Sequence, residues 1–258
     1  MNILEQIIAQ KQQEVAASKK ETGLAALEKL RYFDRPVRSL CEAIKNRAKT
    51  GIIAEFKRRS PSKGVINNRD SVESVTRMYT AYGASALSVL TDASFFGGSL
   101  DDLLAARDND LPILRKDFMI DEYQLVEAKA HGADAILLIA ACLSPQRVKE
   151  LATAAKKLGL EVLLELHGEE ELEHICEEID LVGVNNRNLK TFSVDLEQSV
   201  RLSEKIGKNK LRIAESGINH VDDVHYLKEN GFDGFLIGEY FMRQEDPGRA
   251  FKEFSYAL

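Results

Sequence analysis

Glu55 and Lys57 stand two residues apart at the end of the apolar segment Gly51–Lys57. Lys116 ends Pro112–Lys116, and Glu165 ends Leu160–Glu165. Carboxylates and ammoniums that close apolar runs are costly to bury unless they are paired or used. Two acids and two lysines converging on one place shift each other's pKa values in opposite directions, an arrangement suited to proton transfer near neutral pH. Charged residues also collect at strand ends because strands emerge into water. The functional reading is therefore strongest for Glu55 and Glu165, which directly end apolar runs.

The elements that must position these residues follow a simple alternation. Short, apolar, often β-branched segments occur at Gly51–Lys57, Ser85–Thr91, Pro112–Lys116, Asp134–Ala140, Leu160–Glu165, Asp180–Asn185, Leu211–Glu215 and Phe232–Gly238. Each has the length and composition of a buried parallel strand. Between them lie segments with helical periodicity, such as Ser71–Tyr82, Asp121–His131, Ser144–Leu158 and His220–Glu229. Eight such alternations predict an α/β chain forming a single (β/α)8 TIM barrel. Gly83-Ala84-Ser85-Ala86, Gly132-Ala133-Asp134-Ala135 and Gly231-Phe232-Asp233-Gly234 recur at strands two, four and eight. From 83 to 132 is 49 residues and from 132 to 231 is 99, close to twice that interval. Such turns also occur in open doubly wound sheets, but eight strands and a regular two-unit period favour closure. Residues 1–47 stand outside the count. Leu4–Ala17, Leu24–Leu30 and Val37–Arg47 read as helices, so 1–47 is expected to be an N-terminal helical extension packed on a barrel of residues 48–258.

In a barrel, inward-facing residues at the C-terminal strand ends build the active site, and alternate strands share a layer. Odd strands one, three and five supply Glu55, Lys57, Lys116 and Glu165. The even strand six ends Asn185-Asn186-Arg187, strand seven ends Glu215-Ser216-Gly217, and strand eight ends Gly238-Glu239. Ser216-Gly217 and Gly238 lie where many barrels hold a phosphate on free backbone N–H groups. Ser60-Pro61-Ser62-Lys63-Gly64, after strand one, is either a polar loop placed to close over that face or an ordinary turn.

The net charge of −6 argues against a general affinity for nucleic acid or an anionic membrane, so positive charge for an anionic substrate must be local. Cys41, Cys142 and Cys176 form no Cys-x-x-Cys pair and read as free thiols of a cytoplasmic protein. The start of the chain lacks the apolar core of a signal peptide, and no apolar run is long enough to span a membrane. The five histidines show no metal-ligand spacing and read as solvated or packed. No dinucleotide or nucleoside-triphosphate loop is present, so neither cofactor nor metal is expected.

The segment Ile53-Ala54-Glu55-Phe56-Lys57-Arg58-Arg59-Ser60-Pro61-Ser62-Lys63-Gly64 resembles the indole-3-glycerol-phosphate synthase family. So do Leu90-Thr91-Asp92, Phe95-Phe96-Gly97-Gly98-Ser99, Pro112 to Phe118, Glu165-Leu166-His167, Val184 to Leu189, Ala214 to Ile218 and Leu236 to Glu239. The resemblance implies ring closure of 1-(2-carboxyphenylamino)-1-deoxyribulose 5-phosphate with loss of carbon dioxide and water, in tryptophan biosynthesis. It also implies roles. Lys116 would be the general acid and Glu165 the base. Lys57 would contact the substrate's anionic groups, and Glu55 would orient the lysines and the substrate hydroxyls. Asn185 would hold the ribulose chain and Arg187 the carboxylate side. Ser60 belongs to the loop near the substrate. Ser216, Gly217, Gly238 and the Glu239 backbone would bind phosphate, with Phe96 and Leu189 flanking the aromatic ring. Some family members carry serine at position 239, whose hydroxyl Glu239 cannot replace when ionised. Asn186 and Gly97 take no role on this reading. The alternatives are an isomerase of the phosphoribosylanthranilate type, which would want a strand-one cysteine absent here, a Schiff-base aldolase using Lys116, and a non-catalytic barrel. A small-molecule phosphorylated anion is the expected partner of a monomer.

Overall fold

The computed structural model describes residues 2–187 and 193–258. Eight parallel strands run Ile52–Phe56 (β1), Ala86–Leu90 (β2), Ile113–Lys116 (β3), Ala135–Ile139 (β4), Glu161–Leu166 (β5), Leu181–Asn185 (β6), Leu211–Glu215 (β7) and Gly234–Ile237 (β8). Each pairs with its sequence neighbours, and β8 returns to β1 to close the barrel. All eight expected strands are present, and closure excludes the open doubly wound alternative.

Period-two alternation sorts each strand into two faces. Ile52, Ala54 and Phe56 of β1 point outward and join the layer under the helices. Ile53 points inward, into a second cluster with Ala86, Leu114, Leu137, Leu163, Leu181, Ile213 and Leu236. Two or four residues further along the same inward faces stand Glu55, Ser88, Lys116, Glu165, Asn185 and Glu215. The barrel interior is thus apolar at its floor and charged at its mouth.

The two-unit repeat has a physical cause. The side chain just before each even strand accepts a backbone N–H at the start of the odd strand before it. Ser85 Oγ accepts from Gly51 N at 2.9 Å, Asp134 from Ile113 N at 2.9 Å, Asp180 from Val162 N at 2.8 Å, and Asp233 from Arg212 N at 2.8 Å. Parallel strands begin with a backbone donor that no preceding helix turn satisfies, and a short acceptor at this position fills the need.

The N-terminal segment forms helices α1 (Ile3–Glu21), α2 (Leu24–Leu27) and α3 (Leu40–Lys45). Helix α1 starts on an Asn2–Glu5 capping box, and Ser39 caps α3 through Glu42 N. The third helix is shorter than the expected Val37–Arg47 because Ser39 starts it and Asn46 leaves helical geometry. Leu40 and Ile44 of α3 pack against the floor of the barrel interior. Helix α1 lies at the other end. Its buried Lys11 reaches Asp92, after β2, at 2.8 Å and Asp117, after β3, at 2.9 Å.

Outside the barrel, Val72, Val75 and Tyr79 form the buried stripe of helix α4 (Val72–Ala81). The Tyr79 ring lies 5.1 Å from Phe251 of the last helix, so the two ends of the barrel chain close on each other.

Candidate active site

At the mouth, Lys116 Nζ lies 3.2 Å from Glu165 Oε2 and also bonds Glu215 Oε2. The three residues come from β3, β5 and β7, so alternate strands supply one layer. Glu55, on β1, pairs with Lys57 Nζ at 3.0 Å and accepts a hydrogen bond from Ser88 Oγ at 3.3 Å. The four residues first expected to converge do so, but as two groups: Glu55 with Lys57, and Lys116 with Glu165 and Glu215. Glu55 makes its direct pair with Lys57 and influences Lys116 through space.

Glu215 is absent from the site expected on sequence, although it ends an apolar run on an odd strand. A usable signal was present: Glu165 and Glu215 follow Lys116 by 49 and 99 residues, the spacing of the glycine-led repeat.

The electrostatics of the trio follow from one ammonium facing two buried carboxyls. Burial opposes the charge on Lys116, but Glu215, Glu165 and Glu55 outweigh it and hold its pKa well above the usual lysine range. Burial also works against ionising Glu165. Lys116, His167 and the Asn185 amide overcome it and keep this carboxyl below its ordinary range. Glu215 goes the other way. Burial pushes it up, Lys116 opposes, Glu165 repels, and the result is about 7. One ammonium stabilises one carboxylate fully, and the second carboxyl keeps its proton near neutrality. The site therefore offers a strong proton holder, an ionised base and a carboxyl poised near pH 7. A Schiff-base lysine needs the opposite environment, a depressed pKa, so the charge pattern counts against the aldolase reading.

Asn185 Nδ2 donates to Glu165 Oε1 at 3.0 Å, and its Oδ1 accepts from Arg187 N at 3.0 Å. Both ends of the Asn185 amide are thus engaged in fixing Glu165 and the chain leaving β6. Arg187 Nη2 reaches Glu239 Oε2 at 3.1 Å, and its Nη1 donates to Ser62 Oγ at 3.3 Å. Lys63 Nζ lies 4.0 Å from Glu239 Oε1. The polar segment after β1 is a small hairpin, Arg59–Ser60 against Gly64–Val65, with Ser60 buried and the tip exposed. Its tip leans on Arg187 and Glu239, so it closes over this face rather than turning away.

Ser216 and Gly217 both have positive φ, 67° and 72°. Ser216 is the one non-glycine with positive φ among the described residues, and such strain is concentrated at functional sites. Asn186 holds the turn by donating to Ser216 O at 2.7 Å, which gives this residue a structural task. Gly238 must be glycine for a different reason: a Cβ there would stand 2.7 Å from Glu55 Cβ. It precedes the short helix Glu239–Met242. Phe96 stacks obliquely on Phe118 at 6.1 Å, forming an apolar wall. Gly97 ends the short helix Ala93–Phe96 with φ 66°, and its carbonyl accepts from Arg58. Leu189 lies outside the described residues.

His167, read from the sequence as solvated or packed, is neither idle nor exposed. Its Nε2 stands 3.1 Å from Glu165 Oε1 and its Nδ1 3.6 Å from Glu171 Oε2. Cys142 is half-buried beside the same two acids. Burial, then Glu165 and Glu171, push its thiol up to about 12, so it is a packed thiol and not a nucleophile. Among the described residues no group of His, Cys, Asp and Glu could hold a metal ion, and no helix is long and apolar enough to cross a membrane.

Similar solved structures include the tryptophan synthase alpha subunit of Legionella pneumophila, with TM-score 0.63 and 15% identity over 84% of this chain and 96% of that one. A thiamine phosphate pyrophosphorylase of Pyrococcus furiosus has TM-score 0.59 and 19% identity over 83% and 96%. Identities this low speak to the fold alone. Relatives in sequence are much closer. The indole-3-glycerol phosphate synthase of Bacteroides thetaiotaomicron is 49% identical over 258 residues, 100% of this chain and 99% of that one. That of Laribacter hongkongensis is 45% identical over 255 residues, covering 96% and 97%. The family model described as indole-3-glycerol phosphate synthase matches residues 4–254. With a match across nearly the whole chain, helical extension and barrel together, the chain belongs to the indole-3-glycerol phosphate synthase family.

Proposed function

We propose that this chain closes the indole ring of 1-(2-carboxyphenylamino)-1-deoxyribulose 5-phosphate, releasing carbon dioxide and water to give indole-3-glycerol phosphate. The observation that carries the reading is Lys116 held between Glu165 and Glu215 at the inner mouth of the barrel. Attack of the carboxylate-bearing ring carbon on the ketone builds negative charge on the ketone oxygen. A buried ammonium aimed at that oxygen stabilises the charge and donates the proton. Loss of carbon dioxide follows, and the new hydroxyl then leaves as water. Glu165, ionised in its ground state, removes the proton whose loss restores aromaticity. Glu215, poised near neutrality, keeps Lys116 charged and in place. Lys57, turned inward beside Glu55, meets the anionic part of the substrate.

Phosphate binds to the backbone of Ser216, Gly217, Gly238 and Glu239, with Arg187 toward the carboxylate. Phe96 and Leu189 face the ring, and Ser60 lies in the covering hairpin. Asn185 acts on the ribulose chain through Glu165. In this reading residues 1–47 are an extension of one catalytic barrel, which works as a cytoplasmic monomer without metal, cofactor or nucleic acid.

The test is appearance of indole fluorescence from the carboxyphenylamino substrate. Wild type should produce it, Lys116→Ala should lower kcat by about a hundredfold or more, and Glu165→Gln should lower kcat far more than it raises KM. A folded wild type with no product, or a Lys116→Ala variant with near-normal turnover, would overturn the assignment.

A further inference from the structure

The reaction is not proton-neutral. The substrate's aromatic carboxylate leaves as neutral carbon dioxide, and its ketone oxygen leaves as water. Two protons go onto that oxygen and only one is recovered from the substrate during aromatisation. Each turnover therefore takes one proton from solvent, at a time when substrate fills the mouth of the barrel.

We propose that His167, set between Glu165 and Glu171, is the relay that returns this proton to the Glu165–Lys116 pair. The proposal rests on the assignment of Lys116 as acid and Glu165 as base. A continuous file of titratable groups runs from Glu171 to His167, to Glu165 and to Lys116. The spacings are 3.6 Å from Glu171 Oε2 to His167 Nδ1, 3.1 Å from His167 Nε2 to Glu165 Oε1, and 3.2 Å from Glu165 Oε2 to Lys116 Nζ. The two ring nitrogens face different carboxylates, which is what an imidazole needs to take a proton on one side and give one on the other. The imidazole is part-buried with both ring nitrogens shielded from solvent, and neither nitrogen makes an aligned hydrogen bond.

Glu171 is anchored independently, accepting from His167 N at 2.6 Å, and it retains slight solvent access. Burial opposes protonation of His167, but the two carboxylates outweigh it and raise its pKa to about 10, so the ring rests charged and loaded. The other titratable groups beside these acids are Glu215, which shares Lys116 with Glu165, the neutral Cys142 thiol, and His174, whose ring nitrogens face the carbonyl oxygens of Glu171 and Leu143.

The transfer balances without any other reagent. After Lys116 has given its proton to substrate, the imidazolium protonates the ionised Glu165, and Glu165 hands that same proton on to Lys116 and is again ionised. Solvent then reprotonates the imidazole by way of Glu171.

His167→Gln in the full chain tests the relay, with Glu171→Gln as the second variant, because its amide oxygen still accepts the His167 N–H. Both should lower kcat, His167→Gln by about tenfold or more, with KM within about twofold. Both should enlarge the solvent deuterium isotope effect on kcat. Added imidazole should restore turnover in His167→Gln in proportion to its concentration. Wild-type kcat and isotope effect in His167→Gln, or a loss that imidazole never restores, would overturn the relay. A normal kcat in Lys116→Ala or Glu165→Gln would instead overturn the acid and base assignments beneath it.

Discussion

Glu215 reaches Lys116 because Gly183, on the neighbouring strand, leaves room for it. A Cβ on Gly183 would stand 3.0 Å from Glu215 Cδ and closer still to its Oε1. Gly183 has no positive φ, so backbone freedom does not explain this glycine; the close approach of a buried carboxylate does. Gly183→Ala should leave a folded, cooperatively unfolding barrel but displace Glu215 from the ammonium. The expected outcome is a fall in kcat of about tenfold or more with little change in KM. Normal turnover in this variant would show that Glu215 is dispensable.

Lys11 ties helix α1 to the catalytic face. Its ammonium bonds Asp92, Asp117 and Glu14 at 2.8–2.9 Å, and Asp117 directly follows Lys116. Burial opposes its charge, but Asp117 and Asp92 raise its pKa above the usual lysine range. Lys11→Met leaves Asp92 with only backbone donors and Asp117 with Arg115 as its remaining cation, and should cost about 3 kcal/mol in urea unfolding. Lys19→Met, which removes the half-exposed Lys19–Asp121 pair, should cost about 1 kcal/mol or less. Equal costs in the two variants would refute the clamp.

Stability should also report the Glu215 carboxyl. Its folded pKa is raised from 4.5 to about 7. The stability this contributes is fully present below pH 4.5 and is lost as pH rises through 7. Wild type should therefore lose ground to Glu215→Gln between pH 4.5 and 8, on the order of 3 kcal/mol. Unfolding titrations of both proteins across that window measure the difference directly. A difference independent of pH would mean that Glu215 is already ionised throughout.

Glu239 places a negative charge where the proposed phosphate site begins, and it holds Arg187 at 3.1 Å. Glu239→Gln removes the repulsion and frees the guanidinium. KM for the phosphorylated substrate should fall about two- to fivefold at low ionic strength, and less in high salt. A rise in KM would mean that the Arg187–Glu239 pair is needed to shape the binding loop.

The sequence by itself determined the barrel and much of its mouth. Alternating apolar strands and amphipathic helices are local patterns, and period two tells which face of β1, β3 or β5 carries Glu55, Lys116 or Glu165. The glycine-led repeat announced closure because its Ser and Asp side chains cap neighbouring strand starts. Whom each charged group meets was decided by the tertiary structure. By residue type and strand position alone, Lys57 and Lys116 read alike, and only the family resemblance separated their roles. One pairs with its own strand's Glu55, while the other reaches across the barrel to Glu165 and Glu215. Nothing in the sequence singled out Lys11, yet it is buried against two loops about 80 and 106 residues away, a distance set by how the extension folds over the mouth. His167 looked like an ordinary histidine until β5 and the turn after it set it between two carboxylates. Periodicity fixes a side chain's direction from its own strand. Partners on other elements depend on barrel closure and on glycines such as Gly183, whose missing side chain makes the contact possible.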